Sequence, residues 1–460
     1  MIPKFAVVGH PNKGKSSIVA TLAQDDSVFI DRVSGSTTKT HIYPMTVDGA
    51  VLYELIDTPG FQRARAALTW LTQHCPDVSQ RAKTVAQFCL AQADNTIFYN
   101  ECQLLQPLIE GAGIIYVVDG SRPYGPEYEA EMEILRWTGR PSLAIINPID
   151  SEEFVQAWES ALVQYFKTVR VFNAHRAEFV KRTSLLKVFG QLQPEWEQPI
   201  ANAIEALKKE RDRQHRQASA LIAAFLVESL QHKETLRCPG EQIPPGTQAL
   251  LSTKYEHALR RLEKQCRRQV EETYTYYQLR RQETDLSVES ADLFNQESWY
   301  LFGLNKLQLV SVAAGAGVSA GLLVDAGLGG HSMLIGSAIG GISGAMGAWI
   351  LSKQIAKFAI KGLPTGGSII TYGPARHPNF PFVLLGRALH HLELICTRTH
   401  ARRDTLSVDS DPPLSQFNIK DKTHLMTLFK NISNNKKTFE QREKVAETVY
   451  QFAKQLDGEV

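Results

Sequence analysis

The sequence predicts an α/β domain with a mostly parallel six-stranded sheet and one antiparallel strand, followed by a mainly α-helical C-terminal region containing a Gly-rich helical hairpin. Three observations carry this. Short β-rich apolar runs alternate with helical stretches from residue 1 to about 190, and a phosphate-binding-loop (P-loop) pattern follows the first run. From about 191 the composition shifts to long charged helical segments, and twelve of the 31 glycines then fall within residues 303–351.

Candidate strands are 4–8, 41–47, 50–56, 113–118, 142–146 and 169–173. Asp48-Gly49 is a turn dipeptide that favours a hairpin, so the second and third strands run antiparallel. Residues 61–110, rich in Ala, Gln and Leu, read as a helical insertion. Apolar residues at three and four spacing predict helices over 202–235 and 247–283, and the linker Cys238–Gly246, with three prolines and two glycines, can continue neither. Segment 362–386 reads as loops with short strands, and 387–402 and 420–457 as helices. The expected domains are 1–190 (P-loop domain), 191–300 (charged helical region), 301–361 (Gly-rich hydrophobic hairpin) and 362–460 (C-terminal mixed and helical region).

Charge and cysteine usage narrow the class. Fifty Lys and Arg against 48 Asp and Glu leave a formal charge of +2, so binding to nucleic acid or anionic lipid has to be local. A composition of 43% hydrophobic and 21% charged residues excludes wholesale disorder and fibrous repeats. The six cysteines show no C-x-x-C pair and read as reduced packing residues. The first apolar run is too short for a secretory core, and a cytoplasmic chain is expected.

Gly9-His10-Pro11-Asn12-Lys13-Gly14-Lys15-Ser16 fits G-x-x-x-x-G-K-[ST] between a strand and a helix start. The backbone from Gly9 through Asn12, Lys13 and Gly14 to Ser16 and Ser17 then turns its N–H groups to the phosphates, with the helix dipole behind them. Lys15 reaches the β- and γ-phosphates and Ser16 ligates Mg²⁺. Asp57-Thr58-Pro59-Gly60 ends a hydrophobic strand as D-x-x-G does in regulatory GTPases, where the Asp57 carboxylate holds Mg²⁺ through water and the Gly60 amide senses the γ-phosphate. Gly35-Ser36-Thr37-Thr38-Lys39 lies between the two and supplies a threonine to the same Mg²⁺.

On these motifs residues 1 to about 190 resemble the TrmE–Era branch (the Era- and MnmE-like, 50S ribosome-binding GTPase superfamily), whose members carry G-x-P-N-x-G-K-S, G-T-T-[RK] and D-T-P-G. The resemblance implies a P-loop GTPase domain that hydrolyses GTP to GDP and phosphate. It makes Thr38 the Mg²⁺ ligand, with Thr37 as runner-up, and places K⁺ at Asn12, where an Asn that merely braces the loop is the other reading. Phe61 stands where signalling GTPases have a water-orienting glutamine, which implies slow intrinsic hydrolysis. The family's guanine-reading N-K-x-D becomes Asn147-Pro148-Ile149-Asp150, which keeps Asn147 and Asp150 and loses the lysine; S-A-[KL] becomes Asn173-Ala174-His175. Asp150 favours GTP over ATP, since a protonated purine edge is its evident use. Asp119, at the end of a strand, reads as structural support.

Residues 307–324 and 332–352 form apolar stretches of 18 and 21 residues with Gly317, Gly321, Gly336, Gly340 and Gly344 at four-residue spacing. Two readings stay open: a hairpin that inserts into or lies on a membrane, with Lys353, Lys357 and Lys361 at the lipid headgroups, and a hairpin buried under the charged helices. Arg260, Arg261, Lys264, Arg267 and Arg268 either track RNA phosphates or form a solvated face paired with the interleaved glutamates. His390, His391 and His400 lack ligand spacing for a metal. A GTPase domain followed by charged helices and such a hairpin resembles a bacterial family in which a TrmE–Era-type domain carries a C-terminal helical domain. The expected function is a GTPase switch whose nucleotide state changes that helical domain at the inner face of the cell membrane. The alternative is a soluble GTPase in tRNA modification or ribosome assembly. Dimerisation through the nucleotide face, seen in relatives, is a further expected partner interaction.

Overall fold

Six strands form one sheet in the order β2-β3-β1-β4-β5-β6, with β1 Lys4–Val8, β2 His41–Val47, β3 Ala50–Asp57, β4 Gly113–Asp119, β5 Ser142–Asn147 and β6 Val169–Val171. The computed structural model describes residues 2–25, 27–28, 40–93, 95–238, 245–276, 292–294, 296–316, 356–362, 368–402 and 412–458. All neighbouring strands pair in parallel except β2 and β3, joined by Asp48 and Gly49 at φ 49° and 78°, the two positive values a tight hairpin turn needs. The sheet belongs to a unit comprising Met1–Asp212, Thr275–Leu279 and Thr397–Asp404.

Around it run α1 Lys15–Ala23, α2 Ala64–His74, α3 Arg81–Ala91, α4 Tyr99–Ile109, α5 Glu127–Trp137, α6 Val155–Leu162, α7 Phe179–Gly190 and α8 Pro194–Gln231. β1, β4 and β5 are almost continuous apolar runs because helices cover both faces of the sheet. Strand alternation sends Ala6, Val8, Ile114, Tyr116 and Ile146 to the face covered by α2 to α6. Phe5, Val7, Ile115, Val117 and Ile145 go to the face covered by α1, α7 and the start of α8. The stretch expected to be a helical insertion is helical: it holds α2, α3 and α4.

A second unit comprises Arg213–Tyr274, Arg280–Cys396 and Thr405–Val460, so α8 supplies residues to both. Its antiparallel sheet has the order β7-β9-β8, with β7 Glu234–Cys238, β8 Ala356–Gly362 and β9 Ser368–Ala375. Its remaining helices among the described residues are α9 Thr247–Thr273, α10 Gln296–Phe302, α11 Lys306–Gly315, α12 Phe380–Thr397, α13 Ile419–Ser433 and α14 Thr438–Leu456.

Several expected boundaries move. The helix expected over 202–235 starts at Pro194 and stops at Gln231, because the alternating Glu234-Thr-Leu-Arg-Cys238 pairs with β9. The helix expected over 247–283 ends at Thr273, where Thr275 takes φ 63°. Residues 380–386, expected as loop, open α12, and 420–457 is two helices separated where Asn435 and Lys437 take positive φ. Residues 356–361, assigned to the end of the hairpin region, belong to β8. Of the two apolar stretches, 317–324 and 332–352 lie outside the described residues. The described start is α11, which packs on α13 with Val312 and Ala313 fully buried while Leu307 is 82% and Val310 49% exposed.

Candidate nucleotide-binding site

The C-terminal ends of β1, β3, β4 and β5 lie side by side: Val7 pairs with Asp57, Val8 with Tyr116 and Asp119 with Asn147. Ligands of open parallel sheets sit at that edge, and the loop Gly9–Ser16 leaves β1 there. Gly14 caps α1 at φ 81°, and a Cβ on it would lie 2.3 Å from Asn147 Nδ2. A Cβ on Gly60 would lie 2.5 Å from the Pro11 nitrogen, so the D-T-P-G backbone runs directly against the P-loop.

Lys15 is buried and its Nζ donates to the His10 carbonyl at 3.0 Å. Burial pushes its amine below the ordinary lysine range, against the upward pull of the Asp57 and Glu131 carboxylates. Ser16 Oγ donates to Asp57 Oδ2 at 2.7 Å. A hydroxyl and a carboxylate converging beside a phosphate loop are hard oxygen donors, and this set fits Mg²⁺. Thr58 Oγ1 donates to the Val7 carbonyl at 2.8 Å, tying the end of β3 to β1. Ser17 is buried within α1, and Asn12 is exposed at φ 59°. Lys13 is half-buried with Nζ 5.8 Å from the Tyr128 ring centroid, and burial lowers its pKa. Thr37 and Thr38 lie outside the described residues.

At the other end Asn147 is buried and joins three segments. Its Nδ2 donates to the Lys13 carbonyl at 3.4 Å and its Oδ1 accepts from the Ala174 amide at 3.2 Å. Asn173 Nδ2 donates to the Pro148 carbonyl at 2.7 Å, and Thr21 Oγ1 donates to the Ala174 carbonyl at 2.8 Å. The first of the two sequence-displaced boxes therefore meets the P-loop through Asn147, and the second meets Asn147 and α1, with Asp150 exposed at the end. Asp119 accepts the Ser121 amide at 2.9 Å, bracing the turn after β4.

Phe61 is 1% exposed and belongs to the core on the α2–α6 face. Phe61→Gln should therefore fail to raise hydrolysis and should lower unfolding stability by about 3 kcal/mol, because it buries an amide where a ring packed. Denaturant melts and turnover on one preparation check both.

Sequence reasoning missed Glu131. Its buried carboxylate lies 2.8 Å from His10 Nδ1 and accepts the Tyr116 hydroxyl at 3.0 Å, so it fixes the first variable residue of the P-loop. Burial raises its pKa, with the hydrogen bonds from His10 and Tyr116 pulling the other way. Glu131 sits among Glu127, Glu129 and Glu133, and only the packing of α5 separates it from them.

Three of the five basic residues singled out on α9 pair with acidic residues of the second unit, while Arg261 and Lys264 are exposed. Arg260 meets Asp292 at 2.6 Å and Glu256 at 3.2 Å, Arg267 meets Glu263 at 2.9 Å and Arg268 meets Glu272 at 2.9 Å. Glu263 also accepts from buried Arg387 at 2.7 Å. His391 lies 3.4 Å from Glu271, and His400, in the first unit, stacks on Tyr276 with ring centroids 4.3 Å apart.

A sheet of this order, with a P-loop after β1, an aspartate ending β3 and an asparagine ending β5, is a P-loop GTPase domain, and residues 4–148 match the family described as 50S ribosome-binding GTPase. Residues 159–456, more than half of the chain, match the family described as a domain of unknown function (DUF3482), and the chain belongs to that family. Among curated proteins it is similar to GTPase Der of Paraburkholderia phymatum, 26% identical over 154 residues covering 34% of this chain and 28% of that one. GTPase Der of Streptomyces coelicolor is 26% identical over 171 residues, 35% of this chain and 36% of the relative. The chain thus spans about a third of the length of these relatives. Among solved structures, Aquifex aeolicus Era bound to GDP·AlF4⁻ aligns at 14% identity over 59% of this chain and 88% of that one, with a TM-score of 0.28. Era in complex with MgGDPNP and a 16S ribosomal RNA segment aligns at 13% identity over 60% and 89%, with a TM-score of 0.28.

Proposed function

We propose that this protein binds GTP and GDP, hydrolyses GTP to GDP and phosphate in the presence of Mg²⁺, and uses its nucleotide state to switch the C-terminal helical region. The observation that carries this reading is the convergence of Ser16 and Asp57 at 2.7 Å beside the buried Lys15. Lys15 would contact the β- and γ-phosphates, and Ser16, Thr38 and Asp57 would hold Mg²⁺. When bound, that ion neutralises charge developing on the transferred phosphoryl group. The Gly60 amide meets the γ-phosphate, Asp150 accepts from the guanine edge and Asn147 steadies the segment. The motifs G-x-P-N-x-G-K-S and D-T-P-G support the TrmE–Era branch.

With Phe61 in the core, the charge supplied to the transition state comes from elsewhere, and this reading puts K⁺ at Asn12. Turnover by the full chain should vanish on chelation of Mg²⁺ and should be several-fold faster in KCl than in NaCl. Equal rates in the two salts remove the K⁺ site, and a rate that survives chelation removes the Mg²⁺ assignment.

The switched region acts at a membrane in this reading, supported by the apolar stretches at 307–324 and 332–352 and by the exposure of Leu307 and Val310 on α11. No helix among the described residues is long and apolar enough to cross a membrane. Co-flotation with anionic liposomes should occur with a GTP analogue and fall with GDP. Absence of flotation in both states returns the segment to a buried hairpin. Pairing of Arg260, Arg267 and Arg268 with acidic residues makes RNA the weaker partner in this reading, with Arg261 and Lys264 left exposed.

A further inference from the structure

The N-terminal half of α4 touches chain segments next to both γ-phosphate motifs. Glu101 is fully buried, and its Oε1 accepts the Gln62 amide at 2.8 Å and the Arg63 amide at 2.6 Å. These N–H groups come immediately after Gly60 and Phe61, at the start of α2. Two residues along α4, the Gln103 carbonyl accepts the Thr40 hydroxyl at 3.1 Å, directly beyond the segment that carries Thr38. The far end of α4 is anchored, since Arg140 Nε and Nη2 donate to the Leu108 and Ile109 carbonyls at 2.6 and 2.8 Å.

The chemistry is specific. An unpaired buried carboxylate is costly, yet Glu101 Oε2 is buried with no hydrogen-bond partner among the described residues. The carboxylate is kept for what Oε1 does, which is to hold two adjacent backbone N–H groups at the start of a helix, where a negative charge is favourable. Phe61, packed into the core between Gly60 and those amides, fixes the same stretch by its side chain. Gly60 is thus held from one side by the P-loop proline and from the other by α4.

Resting on the GTPase reading above, we propose that Glu101 is a positioning residue for the γ-phosphate contact. It holds the backbone after Gly60 so that the Gly60 amide meets GTP, and it makes the α4 insertion the element that registers the nucleotide state. GDP, lacking the γ-phosphate, gains nothing from this placement, so Glu101 sets the preference between the two nucleotides rather than the affinity for both.

The test measures binding of GDP and of a non-hydrolysable GTP analogue to the full chain in Mg²⁺ buffer, with turnover alongside. Glu101→Asp withdraws the carboxylate by one methylene. It should weaken the GTP analogue about tenfold and slow turnover similarly, while GDP affinity stays within about twofold. Glu101→Gln keeps an acceptor oxygen and should restore most of the preference. Equal weakening of both nucleotides by Glu101→Asp, or no weakening of either, overturns the proposal. Should Glu101→Asp not fold, amide exchange at Gln62 and Arg63 in the natural protein decides. Stronger protection with the GTP analogue than with GDP supports the proposal, and equal protection overturns it. A natural protein that binds neither nucleotide defeats the GTPase reading, which these comparisons separate from the role of Glu101.

Discussion

Lys15→Ala should lower single-turnover GTP hydrolysis by about 10²- to 10³-fold, the usual cost of removing one preorganised charge donor from a phosphoryl-transfer site. The side chain is buried and, among the described residues, its amine's one hydrogen bond is to the His10 carbonyl. Burial holds its pKa down, and the carboxylates of Asp57 and Glu131 keep the charged form. A phosphate group would add to that stabilisation, so a bound nucleotide would satisfy the charge that is poorly solvated in the free protein. Because that hydrogen bond stays within the P-loop and the pull of Asp57 and Glu131 is offset by the cost of burying the charge, the thermal midpoint should stay within a few degrees of the natural protein. A variant that hydrolyses GTP at the natural rate would show that Lys15 is not at the phosphates.

The second large effect concerns the base. Asp150→Asn should weaken GTP and GDP by about 10- to 100-fold and leave ATP affinity unchanged. Hydrogen bonds to a charged group are worth about 1.5–3 kcal/mol each, and an amide would remove the charge and set a donor NH2 against the guanine N1–H and exocyclic amine, which both donate. Asp150 is exposed, so the substitution has little reach into the fold. Asn147→Ala behaves differently. It cuts the links to Lys13 and Ala174 at once, and should lower nucleotide affinity and stability together. Isothermal titration with the three nucleotides, paired with a melt of each variant, separates the two roles.

Much of this was legible in the residues for local reasons. The apolar runs of β1, β4 and β5 could only be strands buried on both faces, and Asp48-Gly49 specified the antiparallel edge. The P-loop declared itself by glycine spacing, and Asn147 and Asn173 stand out as candidates despite Pro148 and His175 because each follows a strand. What stayed hidden was non-local. β7 is five residues following a long charged helix, and its partner β9 lies more than a hundred residues away. The start of α12 was masked by Pro378 and Pro381, although a proline in a first helical turn costs little. Glu101 and Glu131 look like ordinary helical glutamates, and their burial follows only from which face of α4 and α5 meets the sheet.

The proposed site should select a guanine nucleotide even though proline replaces the lysine of the base-reading motif. Equilibrium binding of GTP, GDP and ATP to the full chain in Mg²⁺ tests it most directly. GTP and GDP should bind at least 100-fold more tightly than ATP, a margin of about 2.7 kcal/mol that Asp150 can supply. ATP binding as tightly as GTP, or no binding of any of the three, would contradict it.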